Sequence, residues 1–281
     1  MKFSLIVATL DRATELERLL ESLVAQNYPD VEVILVDQNA DDRVSRAMAP
    51  FAGRLRILRR TSVRGASRAR NVGLAQASGD IIAFPDDDCW YPANLLKQVA
   101  DFFAASVEWD GIIGHTFDEG GRRILPWHDS AGPLSLAMSW RRSVTYAYFL
   151  RRRVATTVGG FDERLGPGAS ADSGAGDDND FMLRVLKTGA RVWFDPGLAI
   201  HHPSLFPGFD AASIDKRARY ARSDGRVLRK HPMPWWWMLA FFGVPIARLC
   251  VALPTCDRAR LRFHWVTLLG RIQGFRDQPG F

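Results

Sequence analysis

Two short apolar runs and the segment between them leave this chain few ways to fold. Phe3–Ala8 and Val31–Val36 are almost wholly apolar. Runs of that length without polar alternation predict strands buried on both faces. Between them, Thr14 to about Gln26 carries Leu16, Leu19, Leu20 and Leu23 at helical spacing with charges interleaved, and Tyr28-Pro29-Asp30 stops the helix. Strand, helix, strand within the first 37 residues is a βαβ unit with a right-handed crossover. In open parallel sheets ligands sit beyond the carboxyl ends of the strands. Thr9, Asp11 and Asp37 fall at such ends.

The alternation continues. Arg54–Leu58 reads as a third strand, Ser67–Ala77 as a helix closed by Ser78-Gly79, and Asp80–Phe84 as a fourth strand, followed by a helix from Ala93 to about Ala105. Further on, Gly111–Phe117, Ser143–Leu150 and Arg191–Phe194 read as strands and Asp178–Lys187 as a helix. The six glycines of Gly159–Asp177 predict a mobile loop. With 47% hydrophobic and 24% charged residues the chain can build a core, which excludes disorder. Cys89, Cys250 and Cys256 show neither a disulfide framework nor metal-ligand spacing, so reduced thiols and a cytoplasmic compartment are expected. The first apolar run is too short for a secretory signal.

Charge is unevenly spread. Residues 1–215 carry 24 Lys+Arg and 28 Asp+Glu, whereas 216–281 carry 13 and 3. A basic tail on an acidic body argues against a nucleic-acid partner, whose electrostatic footprint would extend over the folded domain.

Two acidic clusters carry the chemistry. Asp86-Asp87-Asp88 follows the fourth strand directly. On an extended backbone alternate residues point the same way, which lets Asp86 and Asp88 share a hard cation whose other positions are filled by substrate phosphates. Asp177-Asp178-Asn179-Asp180 closes the Gly-rich loop and opens a helix. Acidic residues are favoured in a first turn, and Asp180 reads as such a cap. A carboxylate at the rim of the pocket instead suits a general base. His201-His202, just after a strand, offers a nitrogen ligand.

With these residues in hand, the chain resembles family 2 glycosyltransferases of the GT-A fold, a Rossmann-like nucleotide-diphospho-sugar transferase architecture. The resemblance spans roughly residues 3–205. It rests on SLIVATLDRATELERLLESLVAQNYPDVEVILVDQNADD, on GASRARNVGLAQASGDIIAFPDDDCWYP, on VGGFDERLG and on GAGDDNDFMLRVLKTG. It implies that Thr9, Asp11, Asp37, Arg70, Asn71 and Asp86 bind the nucleotide, and that Asp88, Asp86 and His202 hold Mn²⁺ or Mg²⁺. His201 is the other candidate nitrogen ligand. It also implies that Asp178 is the catalytic base and Asp177 its support. The family usually has Glu-Asp where this chain has Asp177-Asp178. The implied reaction is inverting transfer from a nucleotide-diphospho-sugar to a hydroxyl of a glycan or lipid-linked glycan.

The tail departs from the rest. Pro234–Pro254 is apolar except for Arg248 and is interrupted by Pro245, and Arg217–Lys230 and Arg258–Arg276 flank it with basic residues. Such a segment fits an interfacial or re-entrant hairpin on an anionic membrane surface, a span, or a buried or oligomer-forming helix pair. The expected organisation is a GT-A domain over 1–210, with a donor half 1–105 and an acceptor half 106–210. A helical, partly apolar extension follows over 211–281. The expected location is the cytoplasm, at the inner face of the membrane. Two alternatives remain. A polyprenyl-phosphate sugar synthase would use basic residues such as Arg141, Arg142 and Arg151–Arg153, and a non-catalytic nucleotide-sugar-binding protein would not need both Asp88 and Asp178.

Overall fold

The computed structural model describes residues 1–124, 130–169, 174–204 and 208–277. Part of the expected mobile loop, residues 170–173, lies outside them. The chain divides into two compact units. One is Met1–Phe161 with Phe181–Ser204, and the other is Asp162–Asp180 with Leu205–Phe281.

The first unit is built on β1 (Phe3–Thr9), α1 (Thr14–Val24), β2 (Val31–Asp37), α2 (Arg43–Met48), β3 (Ile57–Thr61), α3 (Ala66–Leu74), β4 (Ile81–Ala83) and α4 (Leu95–Ala105). It continues through β5 (Gly111–Phe117), β6 (Gly132–Pro133), α5 (Leu136–Arg142), β7 (Tyr148–Arg151), α6 (Arg152–Thr157), the later turns of α7 (Asp177–Lys187) and β8 (Val192–His201). The sheet order is β3-β2-β1-β4-β7-β5-β8-β6. The chain winds outward from β1 in both directions, so the crevice between β1 and β4 is the switch point where ligands bind in such sheets.

Strand direction decides which residues meet. β1, β2, β3 and β4 are parallel, β7 runs antiparallel to both β4 and β5, and β8 is parallel to β5. The carboxyl end of β8 therefore returns to the same sheet edge as the carboxyl ends of β1, β2 and β4. Thr9 is in register with Asp37 at that edge. The core lies on both sides of these strands, where Leu5, Ile6, Val7, Ile34, Leu35, Ile81 and Ile82 are buried.

Three expectations shift. The third strand is Ile57–Thr61 rather than Arg54–Leu58, because Arg54 and Leu55 turn back to donate to the Phe51 carbonyl. Thr145–Ala147 forms a 3₁₀ turn, leaving only Tyr148–Arg151 as strand. β8 runs on through Pro196-Gly197 to His201, because a register shift opposite Gly114/His115 absorbs the irregular residues.

The second unit holds α8 (Ala211–Lys230), α9 (Trp235–Ala252) and α10 (Arg258–Arg276). α8 and α10 lie parallel with backbones almost touching. A Cβ on Gly270 would fall 2.8 Å from the Ala221 Cβ, and one on Gly274 would strike the Arg222 carbonyl oxygen. One turn further on, Arg226 donates to Asp277 at 2.6 Å. The chain leaves α8 at its end and enters α10 beside its start, so α9 is the return stroke. Pro245 lies inside α9 and has no N–H for the Phe241 carbonyl one turn earlier. The Arg271 guanidinium of α10 donates to that carbonyl and stacks on the Phe241 ring at 4.0 Å. The proline thus opens the acceptor that pins α9 to α10.

Candidate active site

Asp86-Asp87-Asp88 lies just past β4, in a turn closed by Cys89 N–H donating to the Asp86 carbonyl at 3.1 Å. This corrects the extended geometry expected from alternate spacing. The two outer carboxylates nevertheless meet at one place, because a turn brings its ends together. His202, one residue past β8, joins them. Ligand atoms of Asp86, Asp88 and His202 all lie within 4.8 Å of one another.

Each carboxylate is divided between two tasks. Asp86 takes an Arg70 hydrogen bond on Oδ1 at 2.8 Å and turns Oδ2 toward His202 Nε2 at 3.9 Å. Asp88 pairs with Arg12 through Oδ2 at 2.8 Å and places Oδ1 3.1 Å from His202 Nε2. That Oδ1 is buried and has no hydrogen-bond donor aligned on it. His202 Nδ1 lies 2.6 Å from the Pro203 carbonyl, which can only accept, so Nδ1 carries the proton. With Nδ1 so engaged, Nε2 faces the two carboxylates: its proton favours them in the charged ring, and its lone pair is the ligand position of the neutral ring, the arrangement of a metal-ligating histidine with a backbone partner. Two carboxylate oxygens and one imidazole nitrogen could hold a divalent cation.

The electrostatics match. Burial alone would raise the Asp88 carboxyl, but His202 and Arg12 outweigh it and hold it below the usual range. Burial would lower His202, yet Asp88 and Asp86 keep it above its ordinary value. Asp87 turns away from the ligand group to the Arg12 guanidinium. Burial pushes its carboxyl up to about 6, against the pull of Arg12 and with the help of Asp88. Burial and the three aspartates drive the Cys89 thiol well up, which makes it an inert core group.

The residues expected at the nucleotide are positioned as follows. Thr9 and Asp37 are buried at the ends of β1 and β2. Asp37 Oδ1 accepts from Asn39 N–H at 2.9 Å and Asn39 Nδ2 at 2.8 Å, while Oδ2 pairs with Arg59 at 2.6 Å. Asp11 is exposed and left-handed at φ 60, with its N–H on Asn39 Oδ1 at 2.8 Å. Arg70 is the buried brace of Asp86. Asn71 grips the backbone of Phe161, accepting from its N–H at 2.7 Å and donating to its carbonyl at 3.0 Å. Gly160, at φ +83, lets that amide approach, since a Cβ there would strike Asn71 Oδ1. Arg70 and Asn71 thus both make contacts within the protein.

His201 is separated from the ligand group. Its ring stacks on Trp90 at 5.2 Å, and its backbone bridges to Trp90. Arg151, Arg152 and Arg153 belong to the opposite sheet edge, because Arg151 is in register with Ile81, the first residue of β4. They donate there to Trp109 O, Gly79 O and Asp110. Those three arginines are therefore far from the acidic turn. Arg142 is buried over the Phe194 ring at 4.6 Å.

In the second unit, Asp177 and Asp178 open α7. Asp177 is buried, and a Cβ on Gly166 would lie 2.7 Å from its carboxyl carbon. Asp178 is partly exposed and accepts from Asn179 N–H at 2.7 Å. Asp180 is not a simple cap. Its fully buried side chain pairs with Lys230 at 2.6 Å and with His231 Nε2 at 2.8 Å, and Lys230 also reaches Asp162 at 2.7 Å. A carboxylate with no exposure requires such partners, so Asp180 fastens the start of α7 to the end of α8.

Sequence reading missed Arg12 and Tyr146. Arg12 follows Asp11 at a strand end, so position alone was a signal for it. Tyr146 stacks on His202 at 4.4 Å and holds the ring plane. Nothing local marks it, because it reaches His202 only through the antiparallel course of β7.

Comparison with known proteins agrees with this arrangement. The family description "Glycosyl transferase family 2" matches residues 4–159. A PGL/p-HBAD biosynthesis glycosyltransferase of Mycobacterium tuberculosis is 28% identical over 218 residues, 76% of this chain and 81% of that protein. An uncharacterized glycosyltransferase of Nostoc sp. is 28% identical over 139 residues, 47% of this chain, and the match spans only 42% of its own length. Among solved structures, Staphylococcus aureus TarS 1–349 in complex with UDP-GlcNAc superposes with a TM-score of 0.62 at 18% identity, covering 97% of this chain and 91% of that one. The mannosyltransferase PcManGT from Pyrobaculum calidifontis, in complex with GDP-Man and Mn²⁺, gives 0.65 at 16% identity, covering 99% and 88%. The fold is that of these transferases.

Proposed function

Because the chain belongs to glycosyl transferase family 2 and is a glycosyltransferase, we propose that it moves a sugar, with inversion, from a nucleotide-diphospho-sugar to a hydroxyl of a glycan or lipid-linked glycan. The observation that carries the reading is the convergence of Asp86, Asp88 and His202 at the carboxyl edge of the sheet. Solved structures of the same fold are complexes with UDP-GlcNAc and with GDP-Man and Mn²⁺, which supports a sugar nucleotide as donor. When bound at this group, a divalent ion supplies positive charge against the diphosphate leaving group.

The chain's own residues divide the remaining work. Asp86 and Asp88 hold the ligand oxygens, and Arg70 and Arg12 brace them. Thr9, Asp11 and Asp37 line the strand ends where the nucleoside would rest. Asp178 takes the proton of the acceptor hydroxyl, with Asp177 supporting it. A single in-line displacement needs only that one carboxylate opposite the leaving group, and it inverts the anomeric centre. Residues 1–210 form the transferase domain in this reading, with 1–105 serving the donor and 106–210 the acceptor, and 211–281 are an extension. Free Cys89, Cys250 and Cys256 suit the cytoplasm, and we place the enzyme there at the inner membrane face.

The test is calorimetry of UDP and GDP with and without Mn²⁺. Native protein should bind one of them in a metal-dependent way. Asp88→Asn should weaken that binding by roughly 10–100-fold while the circular dichroism stays native. Equal metal-dependent affinity in Asp88→Asn would overturn the assignment.

A further inference from the structure

We infer that α9 lies in the plane of an anionic lipid surface as a monotopic anchor and does not cross the bilayer. This deepens the membrane placement proposed above, and its test is independent of sugar transfer.

The first observation is an unpartnered apolar surface. The segment Trp235–Thr255 is long and apolar enough to span by length and composition. Yet only Trp237, Phe241, Pro245 and Ala252 of α9 are buried, one narrow stripe at near-helical spacing. Around it Trp235 is 73% exposed, Leu239 64% and Val251 67%, and Leu253 beyond the helix is 61% exposed. Apolar residues on nearly every face of an uncovered helix call for an apolar environment.

The second observation excludes a crossing. A spanning α9 would carry α10 to the side of the membrane opposite α8. But α8 and α10 are parallel and in backbone contact through Gly225, Gly270 and Gly274, and the Arg222 and Arg226 side chains reach Asp277. Arg271 also holds the Phe241 carbonyl in the middle of α9. All three helices therefore stay on one side, and the apolar surface of α9 is available only to an interface.

The third observation is charge. The arginines facing the helix interior are paired: Arg217 with Asp224, Arg222 and Arg226 with Asp277. Arg248, Arg258, Arg262 and Arg276 are exposed and have no acidic partner among the described residues. On α10, Arg258, Arg262, Trp265, Leu269 and Arg276 recur three, four or seven residues apart and so share one face. Trp265 there is 52% exposed. Tryptophan beside unpaired arginine is the composition of a helix seated among anionic headgroups, with rings at the boundary and guanidinium groups reaching the phosphates. A second copy of the chain would bring the same positive charge to this surface and repel it.

The experiment is vesicle flotation of the full chain on phosphatidylcholine vesicles with and without 30% phosphatidylglycerol. The native protein should float with the anionic vesicles and be released by high salt only in part, since the apolar contact is not screened. The W235S/L239Q/V251Q variant should lose at least about tenfold in bound fraction. The R248Q/R258Q/R262Q variant should lose the preference for anionic lipid. Because apolar-to-polar changes can disturb folding, quenching of native-protein Trp fluorescence by bromolipids is a second, mutation-free reading, with quenching expected. Metal-dependent nucleotide binding should be unchanged in both variants, which shows them folded; its absence from the native protein would count against the proposed function and not against the anchor. Equal flotation of native protein and apolar variant, absence of bromolipid quenching, or a native dimer that the apolar variant dissociates would overturn the proposal.

Discussion

Replacing Glu32 by Gln should cost the fold up to about 3 kcal/mol at pH 7 and leave nucleotide binding untouched. Glu32 is a buried acid at the amino-terminal ends of β1 and β2, followed by the apolar Val33–Val36. Oε1 accepts from the Ser4 hydroxyl at 2.5 Å, the Ser78 N–H at 2.9 Å and the Ser78 hydroxyl at 2.8 Å, and Oε2 pairs with Lys2 at 2.7 Å. Burial alone would raise its carboxyl. The donors from Lys2, Ser4 and Ser78 win and bring it from 4.5 to about 2. At about 1.4 kcal/mol per unit, the charged form is stabilised by about 3 kcal/mol relative to the unfolded chain. A depressed carboxyl contributes fully above its unfolded value and loses the contribution as pH falls toward its folded value. The difference between native and Glu32→Gln should therefore be constant from pH 7 to about 5 and shrink to roughly half near pH 3. Urea unfolding at several pH values measures it. Glu32 lies about 17 Å along β2 from Asp37, at about 3.3 Å per residue, so UDP or GDP affinity with Mn²⁺ should not move. A difference under about 1 kcal/mol at pH 7, or one that does not change between pH 7 and pH 3.5, would refute the argument.

Two other perturbations test other parts of the molecule. Asp178→Asn should keep donor and metal affinity within a few-fold while single-turnover transfer falls by roughly 10²–10⁴, and Asp177→Asn should cost less; a larger loss in Asp177→Asn would reverse the two roles. Gly274→Val should push α8 from α10, because its side chain meets the Arg222 carbonyl oxygen, and overpacking of this kind costs about 1–3 kcal/mol or more; thermal unfolding that matched the native protein would show that the close helix contact does not form in solution.

Much of the first unit was legible in the residues because its information is local. Unbroken apolar runs specify strands buried on both faces, leucines at helical spacing specify the crossover helix, and the strand ends mark where a ligand binds. The grouping of Asp86 and Asp88 was expected from their place past a strand, and that of His202 from the family resemblance, with His201 as the other candidate. The uses of Arg70, Asn71 and Arg12 were not legible, since a guanidinium or amide at a strand end reads the same whether it faces ligand or braces a neighbouring side chain. Only the tertiary structure gives Asn71 to the Phe161 backbone and Arg70 to Asp86.

Sequence alone determined the sheet-forming segments, the acidic turn and the apolar character of the tail, because each depends on residues within a few positions of one another. Tertiary structure decided everything that depends on direction and register. Antiparallel β7 makes β5 parallel to β4, and this sends β8 back to the acidic turn and so brings His202 to Asp86 and Asp88 while leaving Arg151–Arg153 at the far edge. Parallel packing of α8 and α10 makes a segment with the composition of a span the return helix that joins the end of α8 to the start of α10. Asp180, a cap by its sequence position, became a buried partner of Lys230 and His231. Such contacts join residues about fifty or more positions apart, and no local pattern encodes which of two equally suitable charges, strand edges or helix faces the chain will bring together.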